Sequence, residues 1–165
     1  MSFIRFERHC FFFLTVVSSP EEMNNQKKLV NKIRTKVRFS EVDSMHIVWH
    51  GNYIKYLEDG REGFGNAFGL GYYDVYKYGL MTPIVKLEIE YKSVIRYGEE
   101  IIIETEYVPT KAAKINFRYK IYNAETNKLS LTAQSTQVFV NKDGDLQITN
   151  PDFYLEWQKK WGIIL

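Results

Sequence analysis

The spacing of hydrophobic residues changes once along the chain, from a helical period to a period of two. Over residues 52–68, apolar and small residues recur at intervals of three and four, which is the spacing of one face of a helix. The opposite face carries charged and polar residues. We therefore predict one amphipathic helix, Asn52–Phe68, ended by Gly69 and Gly71. The buried face is predicted to consist of Tyr53, Leu57, Gly60, Phe64 and Ala67.

From Thr82 onward, hydrophobic and polar residues alternate, which is typical of strands with one buried and one wetter face. An earlier strand is predicted at Lys32–Phe39, and Tyr72–Tyr78 is predicted to add one further helical turn. Pro151 suits the first position of a C-terminal helix that runs to Trp161. The alternating runs, separated by glycine-containing and polar turns, span residues 85–91, 101–107, 115–121 and 129–141.

The order strand, helix and four strands predicts an α+β fold. A five-stranded antiparallel sheet wrapped around the one long helix would bury the apolar faces of both. Gly60, Gly63 and Gly65 each cost about 1 kcal/mol relative to alanine inside a helix. Close approach of another backbone to the helix explains their presence. A chain of 165 residues suits a single domain, which we place at residues 31–165.

Residues 1–30 are expected to be a disordered or dispensable leader, with Met23 as the natural start. Basic residues precede the apolar run Cys10–Val17, which loosely imitates a secretory signal. The run is too short to span a bilayer, and no clean cleavage site follows it.

Composition narrows the function classes. The net charge is +2, from 22 basic and 20 acidic residues, which is too balanced to indicate nucleic-acid binding. Cys10 is the only cysteine in the sequence, so no intramolecular disulfide can form, and we expect a cytoplasmic protein. The three histidines are not spaced with cysteine as a structural zinc site requires, so no metal is expected. The sequence has neither a glycine-rich phosphate loop nor the Gly-x-Ser-x-Gly elbow of serine hydrolases.

The chemistry-bearing segment lies directly ahead of the predicted helix and contains Asp43, His46 and His50. A helix N-terminus offers unpaired N–H groups and a partial positive charge, which together suit an oxyanion. An ionised aspartate beside such donors suits attack on a carbonyl, directly or through water. From residue types alone, the ordinary interpretation of Asp43 as a helix cap or turn former is the favoured one.

The spacing of this segment closely resembles the signature of the 4-hydroxybenzoyl-CoA thioesterase (YbgC-type) family. The order of elements from about residue 32 to residue 141 also resembles that family's hotdog fold. The residues that carry the resemblance are Asp43, Val48, His50, Tyr53, Tyr56, Glu58 and Arg61.

This resemblance implies a hydrolase that cleaves acyl-CoA or acyl-carrier-protein thioesters without a metal or cofactor, CoA being part of the substrate. Asp43 would be the nucleophile or general base, and His50 would lie beside the thioester. Backbone N–H groups near Gly51, Asn52 and Tyr53 would polarise the thioester carbonyl. The resemblance also implies a homodimer or homotetramer with active sites at the subunit interface.

Two residues depart from the family pattern. His46 stands where the family usually has glycine, and Trp49 stands where it often has tyrosine. His46 would narrow the substrate pocket, alter the loop or add a group that titrates near neutral pH.

Glu58 and Arg61 are three apart and are expected to pair on the helix surface. Glu58 is also the reserve catalytic carboxylate, because some other hotdog thioesterases place theirs on this helix.

Two other functions remain open on the same fold. One is an enoyl hydratase or dehydratase, although the His/Asp or His/Glu patterns that such hotdog enzymes use are not found here. The other is a non-catalytic protein that binds acyl thioesters, with His46 marking lost activity.

Overall fold

The computed structural model of the chain describes residues 28–163. The leader predicted at residues 1–30 therefore lies outside the described residues except for its last three. Of those three, Leu29 is buried in the core and Val30 begins the first strand. No helix among the described residues is long and apolar enough to cross a membrane.

Two helices and five long strands form most of the fold, and two short strands and a short helix complete it. The helices are α1 (Asn52–Phe68), α2 (Tyr72–Tyr76) and α3 (Asp152–Lys160), and a 3-10 helix spans Phe39–Glu41. The strands are β1 (Val30–Lys36), β2 (Leu80–Met81), β3 (Ile84–Tyr91), β4 (Glu100–Val108), β5 (Lys114–Asn123), β6 (Leu129–Val138) and β7 (Val140–Asn141).

The long strands form one antiparallel sheet in the order β1-β4-β5-β6-β3, which confirms the predicted fold class. Ile103, Ile121 and Leu131 lie side by side on β4, β5 and β6 and are fully buried. The run predicted as one strand, residues 129–141, is interrupted at Phe139, and its end pairs as β7 with β2. Two-residue strands carry no readable periodicity, so this second small sheet was not predicted.

The glycines of α1 mark close contacts, as predicted. A Cβ atom on Gly60 would lie 2.6 Å from Thr105 Oγ1 and 2.9 Å from Ile103 Cγ2, so the sheet touches the helix backbone there. A Cβ atom on Gly65 would lie 2.5 Å from the Cα atom of Gly71. That contact is with the start of α2 and not with the sheet. Glycine thus permits close packing on two sides of α1.

The C-terminal helix α3 fixes the far end of α1. The indole Nε1 atoms of Trp157 and Trp161 both donate to the carbonyl oxygen of Phe68, at 2.8 and 2.9 Å. Tyr154 donates from its hydroxyl to the carbonyl oxygen of Lys114, at 2.9 Å. Burial raises the pKa of the Tyr154 hydroxyl, which keeps it a neutral donor. The end of α1 opposite the Asp43 loop is therefore held by the last helix of the chain.

Candidate active site

Asp43 begins a tight turn in a small hairpin. Its N–H donates to the carbonyl oxygen of Ile47, and its carbonyl oxygen accepts from the N–H of His46, both at 3.0 Å. Val42 and Val48 form an antiparallel bridge that closes the hairpin. The turn-forming interpretation of Asp43 is therefore correct as far as local structure goes.

The carboxylate of Asp43 uses one of its two oxygens in this turn. Oδ1 accepts a hydrogen bond from the N–H of Met45 at 2.8 Å. Within residues 28–163, Oδ2 has no hydrogen-bond donor. The side chain is half-buried. One carboxylate oxygen is thus held by the turn, and the other has no donor among the described residues.

Glu41 ties this hairpin to the first turn of α1. Its carbonyl oxygen accepts from the N–H of Trp49 at 2.9 Å and from Nδ2 of Asn52 at 2.8 Å. Its carboxylate Oε2 accepts from the hydroxyl of Tyr56 and from the N–H of Arg38, both at 2.7 Å. The Glu41 side chain is only 12% exposed. One residue therefore joins the loop, the start of the 3-10 helix before it and the first turn of α1 after it.

The two tyrosines of this helix turn act as neutral groups. Burial, with a smaller contribution from the Glu41 carboxylate, raises the pKa of Tyr56 well above its usual range, so Tyr56 remains a donor. Burial raises the pKa of Tyr53 to about 12. The Tyr53 ring packs edge-on against Tyr56 and Tyr91, with centroids 6.1 and 5.3 Å apart. Tyr53 is a core residue whose candidate role is limited to its backbone N–H.

The N-terminus of α1 offers unpaired N–H groups. The N–H of Asn52 donates to the carbonyl oxygen of Trp49 at 2.9 Å. In the part of the chain that the structure describes, the N–H groups of Gly51 and Tyr53 have no acceptor. A Cβ atom on Gly51 would lie 2.0 Å from the Trp49 ring, so the indole packs directly against the Cα atom of Gly51. Such donors at the positive end of a helix suit an oxyanion.

His50 lies at the helix start and not against the carboxylate. Its exposed ring packs on the Trp49 ring, with centroids 4.7 Å apart, and its carbonyl oxygen accepts from the Tyr91 hydroxyl at 3.1 Å. No hydrogen bond joins His50 to Asp43 among the described residues. The two side chains do not form a hydrogen-bonded dyad within one chain.

His46 occupies the position in the hairpin that needs a left-handed backbone. Its φ is +59°, and its side chain is exposed. Glycine adopts this conformation without steric cost, whereas a side chain makes it unfavourable. His46 was expected to narrow the pocket, alter the loop or add a titrating group. This geometry supports the second of these, an effect on the loop.

A large cavity of about 730 Å³ lies away from the hairpin, between α1, α2 and the sheet. Neither Asp43 nor His50 lines it. Among its walls are Glu58, Arg61, Tyr72, Ile84, Phe117 and Gln137. The sequence did not indicate this cavity, because its walls come from segments that are far apart in the chain. Within residues 28–163, no cluster of three or more His, Cys, Asp or Glu residues could hold a metal ion.

The expected ion pair between Glu58 and Arg61 does not form among the described residues. The half-buried Arg61 side chain lies near the buried hydroxyl of Tyr119. Burial raises the pKa of that hydroxyl to about 12, against the opposing effects of its hydrogen bond with Ser135 and of the Arg61 charge. The prediction failed because spacing on a helix shows only which side chains can meet. In the structure, Arg61 lies near Tyr119 of the adjacent sheet instead of pairing with Glu58.

We predict that His46→Gly raises the free energy of unfolding by up to about 1 kcal/mol, because it removes the strain of a left-handed side-chain-bearing residue. Chemical denaturation measures the change. Ser44→Gly in the same turn is the matched control. Ser44 has no left-handed φ to relieve, so this control is expected to lose stability. A His46→Gly protein no more stable than Ser44→Gly would contradict the prediction.

We predict that Tyr56→Phe lowers the free energy of unfolding by about 1.5–3 kcal/mol, because it removes a hydrogen bond to a largely buried carboxylate. Denaturation again provides the measurement. Tyr91→Phe is the control, because it removes a hydroxyl from the same helix start but from an exposed hydrogen bond. Equal losses in the two variants would show that Glu41 does not anchor the hairpin.

Comparison with known proteins identifies the family. The sequence pattern of the Thioesterase-like superfamily matches residues 37–158, which include the hairpin, α1 and the long strands β3 to β6. The Bacillus subtilis protein YneP, named as a candidate acyl-CoA thioesterase, is 33% identical over 134 residues. That match covers 79% of this chain and 96% of YneP.

Solved structures have the same fold. The DHNA-CoA thioesterase from Staphylococcus aureus is 25% identical, with a TM-score of 0.69 over 82% of this chain and 89% of its own. The 4-hydroxybenzoyl-CoA thioesterase from Pseudomonas sp. strain CBS-3 is 23% identical, with a TM-score of 0.68 over 78% of this chain and 98% of its own. These likenesses confirm the predicted hotdog fold, and with the match over residues 37–158 they show that the chain belongs to the Thioesterase-like superfamily.

Proposed function

We propose that this protein hydrolyses acyl-CoA thioesters and that Asp43 is the reacting carboxylate. The observation that carries the proposal is the state of its two oxygens, one held by the N–H of Met45 and the other free. The hairpin that holds them is fixed to the start of α1 by Glu41. CoA is favoured as the thiol carrier because YneP is named for acyl-CoA.

The proposed reaction begins at the thioester carbonyl. Oδ2 of Asp43 attacks the carbonyl carbon or takes a proton from a water that attacks it. Negative charge then develops on the carbonyl oxygen, where the unpaired N–H groups of Gly51 and Tyr53 stabilise it. The carbon–sulfur bond breaks and CoA leaves as a thiolate. If Asp43 is the nucleophile, water then hydrolyses the acyl–Asp43 anhydride to the free acid and restores the carboxylate. If water is the nucleophile, the free acid forms directly and the proton taken up by Asp43 passes to the thiolate. His50, exposed beside these N–H groups, positions the thioester or the water.

Asp43→Asn tests the carboxylate directly. Asparagine keeps an oxygen that can accept from the N–H of Met45, so the turn is retained while the negative charge is lost. We expect the turnover number for thiol release from acyl-CoA to fall by at least about 10²-fold, the low end for loss of a positioned acid–base group. Thiol release is measured over short, long and aromatic acyl-CoAs, with Ser44→Ala as the control in the same turn.

A folded Asp43→Asn protein that keeps turnover close to that of the wild type would contradict the role of Asp43. Tight acyl-CoA binding by the wild type with no thiol release would favour a binding protein. Consumption of an enoyl-CoA with its thioester left intact would favour a hydratase.

We also propose that two copies associate through the edge strand β3. Within the described residues β3 pairs only with β6, and its side chains Val85 and Tyr91 are 59% and 51% exposed. The opposite edge, β1, carries Lys32 and Arg34 in ion pairs with β4, a pattern that discourages edge pairing. Edge-to-edge pairing about a two-fold axis would cover the exposed apolar side chains of β3. Because Ile84 of β3 lines the cavity, a second copy on this edge would border it.

Val85→Arg is expected to convert the oligomer to monomers, because it places a charge in the proposed contact. The fold of each copy should be kept, because the Val85 side chain is exposed within one chain. Light scattering coupled to size-exclusion chromatography measures the molar mass. Ile148→Arg, at a side chain that is 85% exposed and far from β3 in sequence, is the control and should keep the wild-type mass. An unchanged mass for Val85→Arg would contradict the proposed edge.

A further inference from the structure

We propose that the cavity between α1, α2 and the sheet takes the acyl group, and that Arg61 selects acyl groups with a neutral oxygen, a hydroxyl or a ketone, distant from the thioester. This inference rests on the proposed thioesterase function and specifies its substrate class. Arg61 is thus a specificity-determining residue on the wall of the cavity.

The guanidinium of Arg61 has donors to spare. An arginine side chain offers five N–H donors. Within residues 28–163 its one described partner is the Tyr119 hydroxyl, and no carboxylate lies within 4.0 Å of it. Because the side chain is half-buried, its remaining donors face either water or a bound molecule in the cavity.

The rest of the cavity suits a largely apolar ligand. Its volume of about 730 Å³ is within the usual range for small-molecule sites. A single guanidinium in a largely apolar wall can donate a hydrogen bond to one oxygen of a ligand whose remaining length is hydrocarbon. The apolar side chains of the wall are Leu70, Met81, Ile84, Ile115, Phe117 and Val140.

The charge of the wall decides which oxygen group fits. Besides Arg61, the charged residues of the lining are Glu58, Glu62 and Asp74, and the last of these forms an ion pair with Lys77. The lining therefore carries three carboxylates and one guanidinium. This excess of negative charge disfavours a carboxylate-ended chain and the phosphates of CoA. The acyl end of the substrate enters the cavity, and its polar group is neutral.

A buried pair of hydroxyls lies near Arg61. Tyr119 is fully buried and hydrogen-bonds to Ser135 Oγ at 2.8 Å. Its oxygen, fixed by this contact, lies beside the guanidinium. The Arg61 side chain therefore borders both the cavity and this buried hydroxyl pair.

Binding of CoA thioethers that cannot be hydrolysed tests the inference without requiring catalysis. The probes carry chains of one length that end in a methyl, a hydroxyl or a carboxylate group, and titration calorimetry measures their dissociation constants. We expect the wild type to bind the hydroxyl-ended probe about tenfold more tightly than the methyl-ended probe, a modest value for a hydrogen bond to a charged group. The carboxylate-ended probe should bind most weakly.

Arg61→Met should bring the hydroxyl-to-methyl ratio close to one. Lys55→Met, which removes a charge from the exposed face of α1, is the matched control and should keep the wild-type ratio. Arg61→Lys keeps the charge but not the planar donor fork, so it should reduce the ratio and serves as the second variant if Arg61→Met does not fold.

Three outcomes would overturn the inference: no preference in the wild type, tightest binding of the carboxylate-ended probe, or an unchanged ratio in the Arg61 variants. Failure of the proposed hydrolysis is seen separately, as an absence of thiol release from ordinary acyl-CoAs.

Discussion

The position of Asp43 depends on the contacts of Glu41. That residue receives hydrogen bonds from the backbone before it, from the loop after it and from two side chains of α1, Asn52 and Tyr56. Because the carboxylate is largely buried, each missing donor would leave an unsatisfied charge, which is far more costly than the loss of an exposed contact. The Asp43 carboxylate and the unpaired N–H groups of α1, which we propose as reacting group and oxyanion donors, are therefore positioned relative to one another by Glu41.

Helix α1 connects two regions with different tasks. Its first turn carries the unpaired N–H groups beside the Asp43 hairpin, and its middle carries Arg61 on the cavity wall. The helix rises about 1.5 Å per residue, so Arg61, nine positions after Asn52, lies roughly 14 Å further along the helix axis. A substrate that uses both regions must be extended, with its thioester at the helix start and its chain directed along the helix. A second copy at the β3 edge would add walls to this path without altering the spacing along α1.

Much of the fold was predictable because the signals were local and repeated. Periodicity placed α1 at Asn52–Phe68, the bounds seen in the structure, and alternation located the four later strands. The spacing around Asp43 pointed to the family that residues 37–158 confirm. The anchoring role of Glu41 was missed, because a glutamate near a helix has no signature until its distant partner Tyr56 is known. Arg61 was assigned the wrong partner for the same reason, since Tyr119 is brought to it by β5, far along the chain.

Helix α1 is fastened at both ends by other parts of the chain. Glu41 holds its first turn, and the indoles of Trp157 and Trp161 hold its last carbonyl. Several walls of the cavity come instead from α2, β2 and the segment between β2 and β3, none of which takes part in either fastening. Mutations there can reshape the space that we propose for the acyl group while α1 and the Asp43 hairpin stay in place. In this architecture, substrate range is free to diverge among related proteins without changing the hydrolytic chemistry.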